Sequence, residues 1–170
     1  MVVVAIMGIL MAGAIPTFNS YNKSQILSQA VRNVRSDLRT AQNFSISGAD
    51  GKVWGIHLTS LSKTYYLFKC TPGTPDGGSR TEYRYNPGNP AAYPDCSLSK
   101  TQDMSSTTRI NSSDADIAFE SVGGDVYVNG IAAGSVNQII VSYADGSSPK
   151  LVCVSVSGGI REEMIVPSCT

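Results

Sequence analysis

The hydrophobic residues of the first third of the chain follow the repeat of a helix. Residues 1–18 are almost entirely apolar, and the first charged residue is Lys23. Apolar residues then recur at spacings of three and four, which is the repeat of one helix face. These residues are Leu27, Ala30, Val31, Val34, Leu38, Ala41 and Phe44. We therefore predict one helix over residues 1–47, with a hydrophobic half at 1–22 and an amphipathic half at 23–47.

Pro16 interrupts this predicted helix. Proline has no backbone N–H and its ring clashes with the preceding turn, so we expect a kink or local melting near residue 16. A 47-residue helix would be about 70 Å long, roughly twice the diameter of a small domain. Half of the helix should therefore protrude beyond whatever the rest of the chain covers.

After residue 48 the pattern changes to the two-residue alternation of β-strands. Residues 52–59 and 63–70 predict a hairpin, and residues 71–116 a long Pro-rich loop with short strands at 81–85 and 107–111. Further strands are predicted at 116–121, 125–128, 138–143, 150–156 and 159–166. The predicted fold class is α+β: a long helix packed on an antiparallel β-sheet head at 48–170.

Composition and charge narrow the classes of function. Hydrophobic residues make up 42% of the chain, so it can bury a core and is not wholly disordered. Thirteen Lys and Arg balance thirteen Asp and Glu, and charged residues are only 15% of the chain. A dedicated nucleic-acid-binding protein needs an excess of positive charge. Neutrality instead favours close packing of copies, because long-range repulsion is absent.

Four cysteines predict two disulfides. Cys70, Cys96, Cys153 and Cys169 form no C-x-x-C pair, so neither a redox motif nor a zinc site is indicated. Three pairings are open. We prefer Cys70–Cys96, which would fix the Pro-rich loop, and Cys153–Cys169, which would tie down the C-terminus. Buried thiols in a cytosolic protein are the alternative, which the apolar N-terminus disfavours.

The sequence offers little catalytic or metal-binding chemistry. His57 is the only histidine and lies in a predicted strand, where a structural role is favoured over that of a base. Asp114, Asp116, Glu120 and Asp125 form one acidic cluster. Calcium is a conceivable ligand of such oxygens, but the EF-hand spacing is absent and a solvated loop is the preferred interpretation. We predict no enzyme activity, no cofactor and no metal.

A basic flank on the amphipathic half of the helix is a candidate subunit contact. Arg32, Arg35 and Arg39 stand at positions i, i+3 and i+7. Residues 23–39 carry four positive charges and one negative, whereas residues 103–125 carry one positive and five negative. We expect these arginines to pair with acids of adjacent subunits. Phosphate lipids and DNA are alternative partners, but nucleic-acid binding has no support from the overall charge.

The N-terminal residues resemble those of a known family. The apolar run V-V-V-A-I-M-G-I-L-M-A-G-A-I-P, followed by a polar amphipathic helix and a β-rich remainder, resembles the N-terminus of type IV pilins and pseudopilins. Pro16 matches the helix-breaking proline of that family. The resemblance implies that a few mature residues, including a methylated Phe and a Glu, precede Met1. It further implies processing by a prepilin peptidase and export by a pilus assembly platform.

The remainder resembles one branch of the family more weakly. The runs AVRNVRSDLRTAQNFSISGADGKVWGIHL, IAFESVGGDVYVNG and VCVSVSGGIREEM are similar to the head of the H-type minor pseudopilins.

The resemblance implies a structural subunit that polymerises through its helix into an extracellular type IV pilus filament on the bacterial surface. Before assembly the same helix would hold it in the inner membrane. The expected filament-core and membrane-helix residues are Val4, Ile6, Gly8, Leu10, Gly13, Ile15, Pro16 and Phe18.

Three alternatives stay open. The first is a minor pilin or pseudopilin that primes a type II secretion or competence filament. The second is a membrane-anchored adhesin or DNA receptor that uses the basic flank or the tyrosines of the predicted hairpin and loop, which are Tyr65, Tyr66, Tyr83, Tyr85 and Tyr93. The third is an anchored hydrolase that depends on His57.

Overall fold

The computed structural model describes residues 2–72, 83–120, 125–163 and Cys169. For residues 2–19 it describes the backbone only, and side chains are described from Ser20 onward.

The N-terminal segment is one helix, α1 (Val2–Ile46), whose assignment runs through Pro16 without a break. The local melting expected at Pro16 is therefore not present. Gly48 ends the helix in the left-handed conformation, with φ of 66°, and a short 3-10 turn follows at Ala49–Gly51. The buried hydroxyl of Ser45 accepts a hydrogen bond from the backbone N–H of Trp54 at 2.7 Å, which joins the helix end to the first strand.

Ten described strands form two antiparallel sheets. The strands are β1 (Val53–Leu58), β2 (Thr64–Cys70), β3 (Cys96–Asp103), β4 (Thr108–Ile110), β5 (Ala115–Phe119), β6 (Val126–Val128), β7 (Ile131–Ala132), β8 (Asn137–Tyr143), β9 (Lys150–Val154) and β10 (Ile160–Glu163). The first sheet has the order β3-β2-β1-β5-β6-β7, and the second has the order β10-β9-β8-β4.

Helix α1 packs on both sheets. It contacts β1 and β5 of the first sheet and β4, β8, β9 and β10 of the second. The apolar helix face predicted from the sequence supplies this contact, because six of its seven residues are buried. They are Leu27, Ala30, Val31, Val34, Leu38 and Ala41. The seventh, Phe44, is exposed but packs against Trp54 with ring centroids 4.8 Å apart.

The first sheet is also covered on its other face. Val53, Phe68, Ala118 and Tyr127 form a second apolar cluster there with Tyr83 and Tyr85 of the β2–β3 connection. The ring of Tyr85 stacks on Phe68 with centroids 5.7 Å apart. The Pro-rich connection therefore acts as a layer of the core.

The predicted fold class is wrong. We expected an α+β, pilin-like arrangement of a long helix on one antiparallel sheet, whereas the structure is mostly antiparallel β in two sheets and about a quarter helical. Sequence alternation locates strands but does not say which strands pair. The short strand β4 pairs with β8, so the chain leaves the first sheet, returns to it, and then builds a second sheet against the same helix.

Most strand positions were predicted, and the differences lie in the long loop. The hairpin strands, the later strands up to residue 163 and the short strand inside 107–111 are confirmed. Residues 83–85 form no strand, and residues 81–82 lie outside the described part of the chain. Two strands were missed, β3 and β7. Strand β3 was missed because its side chains are mostly exposed and polar, so no hydrophobic alternation marks it.

From Ser20 onward, where side chains are described, no helix combines the length and apolar character needed to cross a membrane.

Both preferred disulfides are confirmed. Cys70 and Cys96 are paired residues of β2 and β3 and form the first disulfide. Cys153 of β9 is bonded to Cys169, near the C-terminus.

Candidate functional site

The first candidate surface is the exposed part of helix α1. Residues 20–25 are all exposed, Tyr21 to 65%, and the first buried side chain among those described is Leu27. Among the helix side chains that are described, burial against the head therefore begins at about residue 26. The expected filament-core residues all lie within 2–19, where no side chains are described. They are Val4, Ile6, Gly8, Leu10, Gly13, Ile15, Pro16 and Phe18.

The three arginines of the basic flank lie together as the helical repeat requires. Arg32, Arg35 and Arg39 line a shallow groove of about 360 Å³ along the outer side of α1. The guanidinium of Arg39 donates a long hydrogen bond of 3.5 Å to the carbonyl of Ile160. The Nε atom of Arg35 is buried and has no hydrogen-bond partner among the described residues. No carboxylate of the described chain forms an ion pair with any of the three.

Some of the acidic residues expected to pair with this flank already have hydrogen-bond partners within their own chain. Asp116 is 4% exposed and binds His57, and Glu120 accepts hydrogen bonds from the hydroxyls of Tyr83 and Tyr127. Asp103 and Asp125 are exposed. Intersubunit pairing with the basic flank is therefore restricted to the exposed acids of this region.

The second candidate surface is a polar cleft on the outer face of the first sheet. Three residues of neighbouring strands lie side by side at its base. His57 of β1 pairs with Tyr66 of β2 on one side and with Asp116 of β5 on the other. The Nδ1 atom of His57 lies 2.8 Å from Oδ1 of Asp116. A carboxylate only accepts hydrogen bonds, so Nδ1 donates and Nε2 faces the hydroxyl of Thr59 at 3.2 Å.

Asn129 is hydrogen-bonded to the backbone of Asp116. The backbone N–H of Asp116 donates to Oδ1 of Asn129 at 2.9 Å, and the backbone N–H of Asn129 donates to the Asp116 carbonyl at 2.8 Å. Asn129 adopts a left-handed conformation with φ of 52°, which asparagine tolerates better than most residues. The turn after β6 therefore holds the asparagine side chain beside the buried carboxylate.

The β2–β3 connection closes the cleft. Nε of Arg84 lies 3.8 Å from Oδ2 of Asp116, and the guanidinium sits over the ring of Tyr93 at 5.3 Å. The resulting cleft has a volume of about 310 Å³ and is also lined by Asp114. The Asp114 carboxylate accepts a hydrogen bond from the backbone N–H of Ser60.

Sequence reasoning did not connect these cleft residues. It placed His57 in a strand and Asp116 in an acidic cluster, but the register of β1 against β5 brings them together. Thr59, Arg84 and Asn129 were not singled out. Asn129-Gly130 is a turn signal, which would have located Asn129 but not its neighbours. No group of three metal-ligating side chains occurs in the described ranges.

The comparisons with known proteins give no relative: no family, curated protein or solved structure matches the chain.

Proposed function

We propose that this chain is the structural subunit of an extracellular type IV pilus filament and polymerises through its N-terminal helix. The proposal rests on the N-terminal segment and on the helix, not on the fold class corrected above. Before assembly the charge-free residues 1–22 hold the subunit in the inner membrane of a bacterium.

One observation carries the proposal: the described helix side chains at residues 20–25 are exposed, and the segment that precedes them is apolar in sequence. Helix α1 begins at Val2, whereas its buried side chains among those described begin at Leu27. The segment ahead of Ser20 is apolar in sequence. An apolar helix in water is stabilised by about 25 cal/mol for each Å² that another surface covers. Copies of the same helix, packed side by side, provide that cover, and small residues such as Gly8 and Gly13 permit close approach.

The basic flank supports contacts between the helix of one subunit and the head of another. Its arginines have no acidic partner in the described part of their own chain, and Asp103 and Asp125 are exposed. Contacts of this kind join unlike surfaces of successive copies, and such contacts extend into a fibre when they do not close into a ring. A minor pilin that primes a secretion or competence filament would use the same contacts but would be scarce along the filament.

The proposal is tested by sedimentation of material sheared from the surface of producing cells. Leu10→Asp puts a charge into the apolar segment, where desolvation without a partner is costly. Leu61→Asp is the matched control, because Leu61 is 61% exposed and has a left-handed φ of 58°, which aspartate tolerates.

We expect the unchanged chain and Leu61→Asp to pellet as filaments and Leu10→Asp to be depleted from the pellet at least tenfold. Abundant subunits along purified filaments identify a major pilin, and a trace amount identifies a minor one. Equal pelleting of Leu10→Asp, or no chain in any pellet, contradicts the proposal.

A further inference from the structure

We infer that the cleft between His57 and Arg84 binds a neutral sugar. The inference goes beyond the proposed function, because the cleft lies on the outer face of the first sheet and helix α1 packs on the opposite face. Its volume of about 310 Å³ is at the small end of the range for small-molecule sites.

The cleft is preformed. Both ring nitrogens of His57 have a partner, and Asn129 is joined to Asp116 by two hydrogen bonds. The Arg84 guanidinium lies 3.8 Å from the Asp116 carboxylate and over the Tyr93 ring. Side chains that are already ordered lose little further conformational entropy on binding, which favours binding of a small ligand.

The polar groups of the cleft that lack a hydrogen-bond partner among the described residues include both donors and acceptors. The Asn129 amide N–H₂ and the terminal nitrogens of Arg84 have no hydrogen-bond acceptor among the described residues. The second oxygen of Asp114 has no donor among those residues, and Oδ2 of Asp116 has only the 3.8 Å contact with Arg84. A hydroxyl group both donates and accepts, so a ligand with several adjacent hydroxyls satisfies both kinds of group at once.

Charge and shape favour a neutral ligand. Asp114 and Asp116 outnumber Arg84 among the acidic and guanidinium side chains that line the cleft, which opposes the binding of an anion. A bare cation would lie beside the Arg84 guanidinium, where the described residues offer no three-ligand group. The ring of Tyr93, one face of which lies against the Arg84 guanidinium, adds apolar surface to the lining of the cleft.

Saturation-transfer NMR on the full chain, in a detergent without a sugar headgroup, tests the inference. The probes are the methyl glycosides of glucose, galactose, mannose and N-acetylglucosamine, with N-acetylneuraminic acid as the anionic counterpart. We expect saturation of at least one neutral glycoside, with a dissociation constant on the order of 1 mM.

Two variants locate the site. Arg84→Met keeps the side-chain stem and removes the donors, and Asn129→Gly keeps the left-handed turn and removes the amide. Each should weaken binding about tenfold, the effect of one lost hydrogen bond to a charged or buried group. Arg32→Met, on the exposed flank of α1, should bind like the unchanged chain.

Three results overturn the inference: no saturation of any neutral glycoside by the folded chain, tighter binding of N-acetylneuraminic acid, or neutral binding that survives both cleft variants. If one variant fails to fold, judged by its urea midpoint, the other decides. Loss of filament assembly without loss of sugar binding would count against the proposed function alone.

Discussion

At the scale of single residues, Gly55 shows how closely β1 lies against its neighbours. A Cβ atom at this position would be 2.6 Å from the carbonyl oxygen of Ile117 and 2.6 Å from the Phe68 ring. One of these contacts is backbone and cannot rotate away. Gly55 therefore sets the spacing between the central strands of the first sheet and the Phe68 ring above them.

We predict that Gly55→Ala lowers the free energy of unfolding by about 1–3 kcal/mol, because overpacking forces backbone or side-chain shifts. The measurement is urea denaturation of the full chain in mild detergent. Gly134→Ala is the control, because a Cβ atom there would meet nothing within 4 Å. It should change stability by less than about 0.5 kcal/mol. Equal stability of the two variants would mean that β1 and β5 are farther apart than described.

Tyr65 links the helix to the first sheet through a buried hydroxyl, which donates to Oδ2 of Asp37 at 2.6 Å. Burial, and then the hydrogen bond to Asp37 and its negative charge, raise the pKa of Tyr65 well above its usual value of 10.0. Above pH 10 the unfolded chain therefore loses a proton that the folded chain keeps, and stability falls as the pH rises.

We predict that this residue contributes a slope of about −1.4 kcal/mol per pH unit above pH 10, and that Tyr65→Phe removes it. At neutral pH the same variant should lose about 1–2 kcal/mol, because the hydrogen bond to a charged group is gone. Urea titrations at several pH values between 9 and 11 measure both effects. Tyr21→Phe, at an exposed position, should keep the slope; a slope unchanged in Tyr65→Phe would contradict the buried pairing with Asp37.

At the scale of elements, the sequence located most strands but not their partners. The helix face from Leu27 to Ala41 and the strands from β5 onward, except the two-residue β7, follow from the hydrophobic pattern. Most of them bury one face, whereas β5 and β9 are buried along nearly their whole length. Strand β3 gives no such signal, because it lies at the edge of the first sheet with one neighbour and mostly exposed side chains. Its pairing with β2 is marked only by Cys70 and Cys96.

The polar cleft could not be predicted from the sequence, because its residues meet only through strand pairing. His57 and Asp116 are 59 residues apart and meet only through the register of β1 and β5. Arg84 reaches Asp116 because the β2–β3 connection folds back over the outer face of the sheet. Composition and local pattern carry no information on such long-range juxtapositions, whereas the disulfide preference succeeded because each bridge closes a short segment.

The Cys70–Cys96 disulfide should hold the layer that contains Tyr83, Tyr85 and Arg84. We predict that Cys70→Ser with Cys96→Ser lowers stability by about 3 kcal/mol and makes residues 83–93 susceptible to protease. Limited proteolysis with mass spectrometry measures the second effect. Cys153→Ser with Cys169→Ser should lower stability by a similar amount, because the Cys153–Cys169 disulfide also closes a short loop. This double variant should leave the 83–93 segment protected from protease.

Protection of residues 83–93 in both double variants would show that packing on Phe68, rather than the disulfide, fixes this layer. Cleavage there only after loss of Cys153–Cys169 would contradict the assignment of the layer to the first disulfide.

At the scale of the whole molecule, the net charge of zero is the sum of segments that differ in charge. Residues 1–22 carry no charge, the exposed flank of the helix is basic, and the region 103–125 is acidic. Among the described helix side chains, residues 20–25 are exposed, and the arginines on the outer flank of the helix form no ion pair with a described carboxylate. This distribution suits a subunit that is completed by other copies of itself.

The most direct test of that account is photocrosslinking in producing cells, with benzoylphenylalanine in place of Leu10. The account predicts a ladder of covalent multimers of this chain, because Leu10 would lie in a core formed by neighbouring helices. Adducts confined to lipid or to other proteins, with the chain otherwise monomeric, would contradict assembly through the N-terminal helix.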